Sequence, residues 1–315
     1  MNVIGIDIGG TKLAAAFADA SGRIFQKSVR PTNSNRGPDA VLRDVINMAR
    51  RLSKKEGTEP IGVSFGGPYD VETGRVGDVP NMPGWKDLPL REALSSAFPG
   101  RKIVIDNDAN AAALAEWKLG AGRGFQNIVY LTMGTGIGAG AIVNGRLLRG
   151  QSNAAGEIGH ICLVPDGPVC GCGKRGCLEA FCSGPAAARR ARDKLALGMA
   201  DDGLLQNAGI DLNALKMEHL VIEAQNGNRF ALAHLEETAM YMAWGVASLA
   251  NVLSPEIALL GTVAVAAGDL LLKPLREHLK RFVFPAIGEQ LRIEPAGLGE
   301  LVGDHAAAAL ALYAD

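Results

Sequence analysis

The sequence has almost no net charge: 32 lysines and arginines against 33 aspartates and glutamates leave −1 over 315 residues. Nucleic acid or an anionic membrane surface held by bulk charge is therefore not expected as a partner. Long apolar runs are missing too. The longest are short or broken by residues such as Pro255 and Glu256, so no bilayer span is expected. Cysteine is scarce. Five of them, an odd number, make no secreted disulfide framework and fit a reducing cytoplasm. The run Val3 to Ile6 leads at once to Asp7, which does not read as a signal peptide. No flexible linker, low-complexity segment or G-x-x-x-x-G-K-[ST] phosphate loop is found. With 48% apolar and 21% charged residues, the composition is that of a soluble globular chain, long enough for two domains or one large one.

Glycine, by contrast, is abundant. Forty glycines gather in a few places, where they predict turns that let the backbone approach a ligand closely. One cluster surrounds His160, Cys170, Cys172 and Cys177, which follow the spacing H-x9-C-x-C-x4-C. One imidazole and three thiols that close together predict a tetrahedral zinc site. Four protein ligands leave no open position, so the ion is expected to pin a loop rather than to catalyse. The acids beside it, Glu157 and Glu179, would then be fixed relative to each other.

A second pattern occurs twice. A strand at Val3 to Ile6 leads into Asp7-Ile8-Gly9-Gly10-Thr11-Lys12, an apolar strand to Ala18, a Ser21-Gly22 turn and a third strand. A strand at Ile128 to Thr132 leads into Met133-Gly134-Thr135-Gly136-Ile137-Gly138, an apolar run to Val143, an Asn144-Gly145 turn and Arg146-Leu147. This internal repeat predicts two related α/β lobes facing each other. Each glycine turn exposes backbone N–H groups, which form anion-binding concavities. Two facing turns could grip the phosphates of one nucleotide.

Between these hairpins, Pro38 to Lys55 has the apolar spacing of an amphipathic helix, and Ile61 to Phe65 reads as a short strand running into Gly66-Gly67-Pro68-Tyr69-Asp70. Asn81-Met82-Pro83-Gly84-Trp85 reads as a loop. A strand from Lys102 to Ile105 ends in Asp106-Asn107-Asp108 before a helix from Ala109 to Gly120. Ligand-contacting residues often sit where a strand's carboxyl end meets a helix. An Asp there is either a general base or an N-cap. Further on, helices are expected at 185–197, 229–253, 270–282 and 305–313, and strands at 257–260 and within 287–293.

Taken together, these motifs resemble the ROK family of bacterial sugar kinases, repressors and open reading frames, most closely its glucokinases. Asp7 to Lys12 is similar to the first phosphate motif, Met133 to Gly140 to the second, and Glu157 to His160 with Cys170 to Ala180 to the zinc signature. The resemblance runs essentially from end to end. It implies an α/β, two-lobed actin-like and hexokinase-like (ribonuclease H-like) ATPase fold with an interlobe cleft. Residues 1–117 with about 300–315 would form the smaller lobe, and 118–299 the larger, zinc-bearing one. It implies Asp108 as general base, with Gly67, Asn81, Asn107, Glu157, His160 and Glu179 binding the sugar. Gly9, Gly10, Thr11, Lys12, Thr135 and Gly136 would line the phosphate path, with Asp7 near Mg2+ and Gly261 by the adenosine of ATP.

The implied reaction is ATP-dependent phosphorylation of a hexose, glucose to glucose 6-phosphate, by a cytoplasmic homodimer or homotetramer. Two departures bear on substrate choice: Gly261-Thr262 stands where relatives usually read Gly-Gly, and Gly66-Gly67-Pro68 where they usually read Pro-Gly-Pro. The second is also seen in acylaminosugar kinases, so N-acetylmannosamine and N-acetylglucosamine kinases are the alternatives, followed by fructokinase. A sugar-responsive transcriptional regulator is a further one. With six residues before Asp7, no DNA-binding element is expected.

Overall fold

The computed structural model describes residues 1–53, 57–79 and 82–314. The first part of the chain forms β1 (Asn2–Ile8), β2 (Lys12–Asp19), β3 (Ile24–Pro31), α1 (Pro38–Leu52), β4 (Ile61–Phe65), a small ribbon of β5 (Tyr69–Asp70) and β6 (Arg75–Val76), α2 (Leu90–Ala97) and β7 (Ile103–Asn107). Next come α3 (Asp108–Lys118), β8 (Ile128–Met133), β9 (Ile137–Val143), β10 (Arg146–Leu147), α4 (Glu179–Cys182), α5 (Gly184–Ala196), α6 (Leu204–Ala208), α7 (Met217–Gln225) and α8 (Arg229–Leu253). The remainder is β11 (Ile257–Leu260), α9 (Val263–Ala267), α10 (Asp269–Leu279), α11 (Pro285–Gly288), β12 (Arg292–Pro295) and α12 (Val302–Tyr313).

The repeat read from the glycine turns is a repeat of topology. One sheet runs β3-β2-β1-β4-β7 and the other β10-β9-β8-β11-β12. In each, the first three strands form an antiparallel meander and the last two join in parallel. The central strands β1 and β8 are apolar runs buried on both faces, as a strand covered on both sides requires. What separates the halves is an insertion. Among the described residues only α1 and a short turn lie between β3 and β4, whereas residues 148–256, with the metal segment and α4 to α8, lie between β10 and β11.

The two halves are joined by exchanged helices. The helix after the first sheet, α3, packs on β8 and β9, and the helix after the second, α12, packs on β1 and β4; α3 and α12 also pack on each other. Small residues make this possible. A Cβ on Gly62 would lie 1.9 Å from the Ala307 carbonyl oxygen, and one on Gly140 2.6 Å from that of Ala109. The buried Glu116 of α3 accepts the N–H groups of Gly297 (3.0 Å) and Leu298 (2.8 Å), tying α3 to the connection that leads to α12. Each sheet has its own apolar core, and a third core of Ala111 to Ala115, Tyr130, Ala306, Ala309 and Leu310 lies between them.

Some expectations need correction. The strand expected within 287–293 lies at Arg292–Pro295, because Pro285 opens a helical turn that occupies the residues before it. The expected helix over Pro38–Lys55 ends at Leu52; Lys54 and Lys55 lie outside the described residues. A helix and irregular turns are expected over 198–217, and α6 lies there; helices α2, α4, α7, α9 and α11 were not expected.

Gly62→Ala is expected to lower stability by about 1–3 kcal/mol, since the helix or the strand must move to admit the methyl group. Thermal unfolding would show this as a drop of roughly 2–4 °C per kcal/mol. An unchanged midpoint would mean that α12 is not held against β4 as described.

Candidate active site

A cleft of about 800 Å³ opens between the two sheets, within the usual span of small-molecule sites, about 300–1,000 Å³. Its wall is made by Thr11 and Lys12 of the first glycine turn and Gly134, Thr135 and Gly136 of the second. Gly67, Asn107, Asp108, Glu157, His160, Glu179 and Thr262 complete it. Most residues singled out in the sequence therefore converge here. Gly9 lies behind the wall, its N–H closing the first turn on the Lys12 carbonyl at 3.0 Å. Gly10 follows it in that turn. Gly261 packs against Tyr130, whose hydroxyl oxygen a Cβ would meet at 2.4 Å. Asn81 lies outside the described residues.

The three polar residues at the end of β7 divide their roles. Asp106 is fully buried and accepts from Arg149 Nε (2.8 Å), Asn110 Nδ2 (2.9 Å) and the Asn107 N–H (2.8 Å). Its charge is committed to structure. Asn107 is the N-cap of α3, its side chain accepting the Asn110 N–H at 2.7 Å. That leaves Asp108, at the first helical position, free of the capping duty that the sequence alone leaves open. Its side chain reaches the water of the cleft, while protein closes around it on the other sides. This burial, and then the nearby Glu157 carboxylate, hold its pKa above the ordinary value, against the pull of the N–H groups of Ala109 and its own residue.

Asp7 sits two strands from β7, paired in register with Ser64 of β4, which is in turn paired with Asp106. Burial pushes its carboxyl from 3.8 up to about 6; Lys12 opposes this, and the carboxylates of Asp108 and Asp304 add to it. The carboxylates facing Asp7 make the place beside it suited to a divalent cation, which would favour its charged form.

The metal ligands also converge. A tetrahedral zinc with Zn–S bonds of about 2.3 Å sets thiolates about 3.8 Å apart and a thiolate about 3.6 Å from an imidazole nitrogen. Here Cys172 and Cys177 have their sulfurs 3.8 Å apart, and Cys170 Sγ is 3.7 Å from His160 Nδ1. All four ligand atoms lie within 4.8 Å of one another, so the residues fit the ion. A tight turn shapes this cage, with the Cys170 N–H on the Lys174 carbonyl at 2.8 Å and Gly173 at φ +84. Burial pushes the Cys170 thiol up to about 12, so holding it as a thiolate calls for a cation.

The cage reaches the cleft at two points. His160 turns Nδ1 to the cysteines and Nε2 towards Glu157, 3.8 Å from Oε2. Glu179, at the start of α4, accepts the Ile137 N–H at 3.0 Å and stands 3.5 Å from Cys170 Sγ. A Cβ on Gly136 would lie 2.6 Å from this carboxylate. Glu179 thus ties the metal loop to the second glycine turn.

Two features of the site go beyond the sequence: the partners of Arg149 and Asn153, and the conformation of Thr262. Arg149 and Asn153 hold the buried end of β7; Asn153, left-handed at φ 55, donates to the Tyr69 carbonyl at 2.8 Å. The polar, glycine-led run Gly150 to Asn153 signals a turn, but nothing in it names Asp106 as the partner. Thr262 adopts φ 53 and ψ −111, a conformation that costs a side-chain-bearing residue about 1–3 kcal/mol. Its hydroxyl offsets part of that by accepting the Met133 N–H at 2.8 Å, at the root of the second glycine turn.

Comparison with known proteins gives a consistent result. The model of a family described as the ROK family matches residues 3–314. A glucokinase of Halalkalibacterium halodurans is 34% identical over 313 residues, covering 95% of this chain and 92% of that protein. A glucokinase of Thermotoga maritima is 34% identical, covering 98% and 97%. The crystal structure of a ROK family glucokinase from Streptomyces griseus in complex with glucose and AMPPNP superposes with a TM-score of 0.84 at 32% identity, covering 98% of this chain and 99% of that one.

Two outcomes are expected. Elemental analysis of protein purified without added zinc should find about one ion per chain, and Cys172→Ser should lower that content at least by half. A metal-free wild-type with all thiols reduced would mean that the four side chains only pack together. The second outcome concerns Asp7. Folding raises its pKa from 3.8 to about 6, so its neutral form stabilises fully below pH 4, and this is lost as pH rises through 6. Asp7→Asn should therefore raise stability at pH 7.5, on the order of 1–2 kcal/mol, and give no gain at pH 4. Denaturant unfolding at both pH values reads this; an equal effect at both would rule out burial of the charge as the cause.

Proposed function

The chain belongs to the ROK family, and from that premise we propose that it transfers the γ-phosphoryl group of ATP to a hydroxyl of glucose, giving glucose 6-phosphate. It is an ATP-dependent sugar kinase with the two-lobed hexokinase-like fold. The observation that carries the chemistry is the position of Asp108. Its carboxylate makes no ion pair among the described residues and faces the cleft beside both glycine turns and the metal-held wall.

Phosphoryl transfer needs in-line positioning and charge neutralisation more than covalent help. Asp108 would take the proton of the attacking hydroxyl, and a pKa raised towards neutrality suits a general base. The amide of Asn107, whose oxygen caps α3, has no partner on Nδ2 among the described residues and would present it to the sugar. Glu157, His160 through Nε2, Glu179 and the Gly67 and Asn81 loops supply further partners in fixed directions. The Thr11–Lys12 and Thr135–Gly136 turns, with Gly9 and Gly10 behind the first, would hold the phosphates, and the Gly261–Thr262 corner would lie by the adenosine. Mg2+ beside Asp7, when bound, would neutralise phosphate charge. Zinc on His160, Cys170, Cys172 and Cys177 would fix the sugar-side wall without taking part in the reaction. A division into residues 1–117 with 300–315 and residues 118–299 is proposed with this; closure of such lobes would exclude water from the transfer.

A coupled ADP-release assay with MgATP across glucose, N-acetylglucosamine, N-acetylmannosamine, mannose and fructose tests this. Glucose is expected to give the highest kcat/KM. Asp108→Asn should lower kcat by about 10²–10⁴-fold while glucose binding, read by calorimetry, persists. An N-acetyl sugar with equal or higher kcat/KM would overturn the choice of glucose. An unchanged kcat in Asp108→Asn would overturn the base.

A further inference from the structure

Of the five cysteines, Cys162 belongs to no ligand set and is exposed. It forms an antiparallel bridge with Cys177, the buried third thiol of the cage. The bridge is closed by the flanking residues: the Leu163 N–H donates to the Gly176 carbonyl at 2.8 Å, and the Leu178 N–H to the Ile161 carbonyl at 3.0 Å. Cys162 and Cys177 are thus a non-hydrogen-bonded pair, the closer of the two antiparallel pairings, with Cα atoms about 4.5 Å apart and side chains on one face. Disulfides span Cα separations of about 4.4–6.8 Å, so this pair can be bridged without moving the backbone. The backbone is also locked there: Gly176 is at φ +72, and a Cβ on it would meet the Val164 oxygen at 1.7 Å and Cys162 Sγ at 3.3 Å.

We propose that Cys162 is an oxidation site that disarms the metal cage by forming a disulfide with Cys177 when the protein meets hydrogen peroxide. The exposed Cys162 thiolate attacks the peroxide oxygen, breaking the O–O bond and giving a sulfenic acid and one hydroxide. The Cys177 thiolate, leaving the metal, attacks the Cys162 sulfur. The S–S bond forms, the S–O bond breaks, and the second oxygen leaves as hydroxide. Two protons turn the hydroxides into water; the two thiolates are oxidised by two electrons and the peroxide is reduced by two. The ion is left with three ligands and is released. Glu157, His160 and Glu179 then lose the anchor that sets them in the cleft wall. A dithiol reductant and zinc restore the cage.

This inference rests on the cage holding zinc, and its test separates the two. Reduced, zinc-loaded protein is treated with hydrogen peroxide in the presence of a chromogenic chelator, and the thiols are then blocked and mapped by mass spectrometry without reduction. Wild-type protein should release zinc together with a Cys162–Cys177 cross-linked peptide, reversibly with dithiothreitol. Cys162→Ser should release zinc at least tenfold more slowly, while unoxidised Cys162→Ser keeps wild-type zinc content and turnover. Cys162→Thr serves as a second variant should the serine form fold poorly. Equal release rates in wild-type and variants, or a map showing only pairings among Cys170, Cys172 and Cys177, would overturn the proposal. Protein without zinc would fail the metal reading, and the peptide map alone would then decide whether Cys162 and Cys177 pair.

Discussion

Between Glu157 and Glu179 the chain has little regular secondary structure: one 3-10 turn, two isolated bridges and the start of a short helix. Ile158, Leu163 and Leu178 anchor it in the core of the second sheet, Cys170, Cys177 and Ala180 form a small cluster of their own, and four ligand atoms converge on one spot. From that spot two side chains extend into the cleft, His160 directly and Glu179 through the Ile137 N–H. The second glycine turn is thus braced from behind by a carboxylate that answers to the metal loop. An ion held there would fix both the His160 side and the Glu179 side of the cleft wall, as supporting shells around metal ligands generally do.

The acids of the cleft show a complementary division of labour. Asp106 and Asp108 are two residues apart on a strand–helix junction, yet one is neutralised by Arg149 and two amides while the other is held near the cleft with its pKa raised. Environment separates two chemically identical groups into one held in an ion pair with Arg149 and one left open to the cleft. Asn107 between them makes this possible, because by capping α3 itself it relieves Asp108 of the role that its position would otherwise impose.

How much of this was legible in the sequence depends on the range of the interaction. The glycine hairpins were read correctly as a repeat because turn chemistry is local and recurs in the same order. The cage was read from spacing because three of its ligands are eight residues apart or less. What was missed is long-range or weakly patterned. Helix α7 buries Glu223 among its apolar residues, which breaks the helical stripe, and α2 has no side-chain cap. Strand β12 was misplaced by a few residues because an apolar isoleucine on each side of the Gly-Glu-Gln turn gives no local reason to prefer one. The partnership of Arg149 with Asp106 spans 43 residues and leaves no trace in composition or period.

The exchange of α3 and α12 has a consequence for how the protein is made. The face of β1 and β4 that carries Gly5 and Gly62 is covered by α12, and roughly 240 residues separate Phe65 from Val302. At about 5–20 residues per second on the ribosome, that face waits on the order of ten to fifty seconds for its cover. The first sheet cannot finish as a unit while the second is still being translated, so an apolar, glycine-lined surface stays open in the nascent chain. Its maturation is therefore set by the slow arrival of a distant helix.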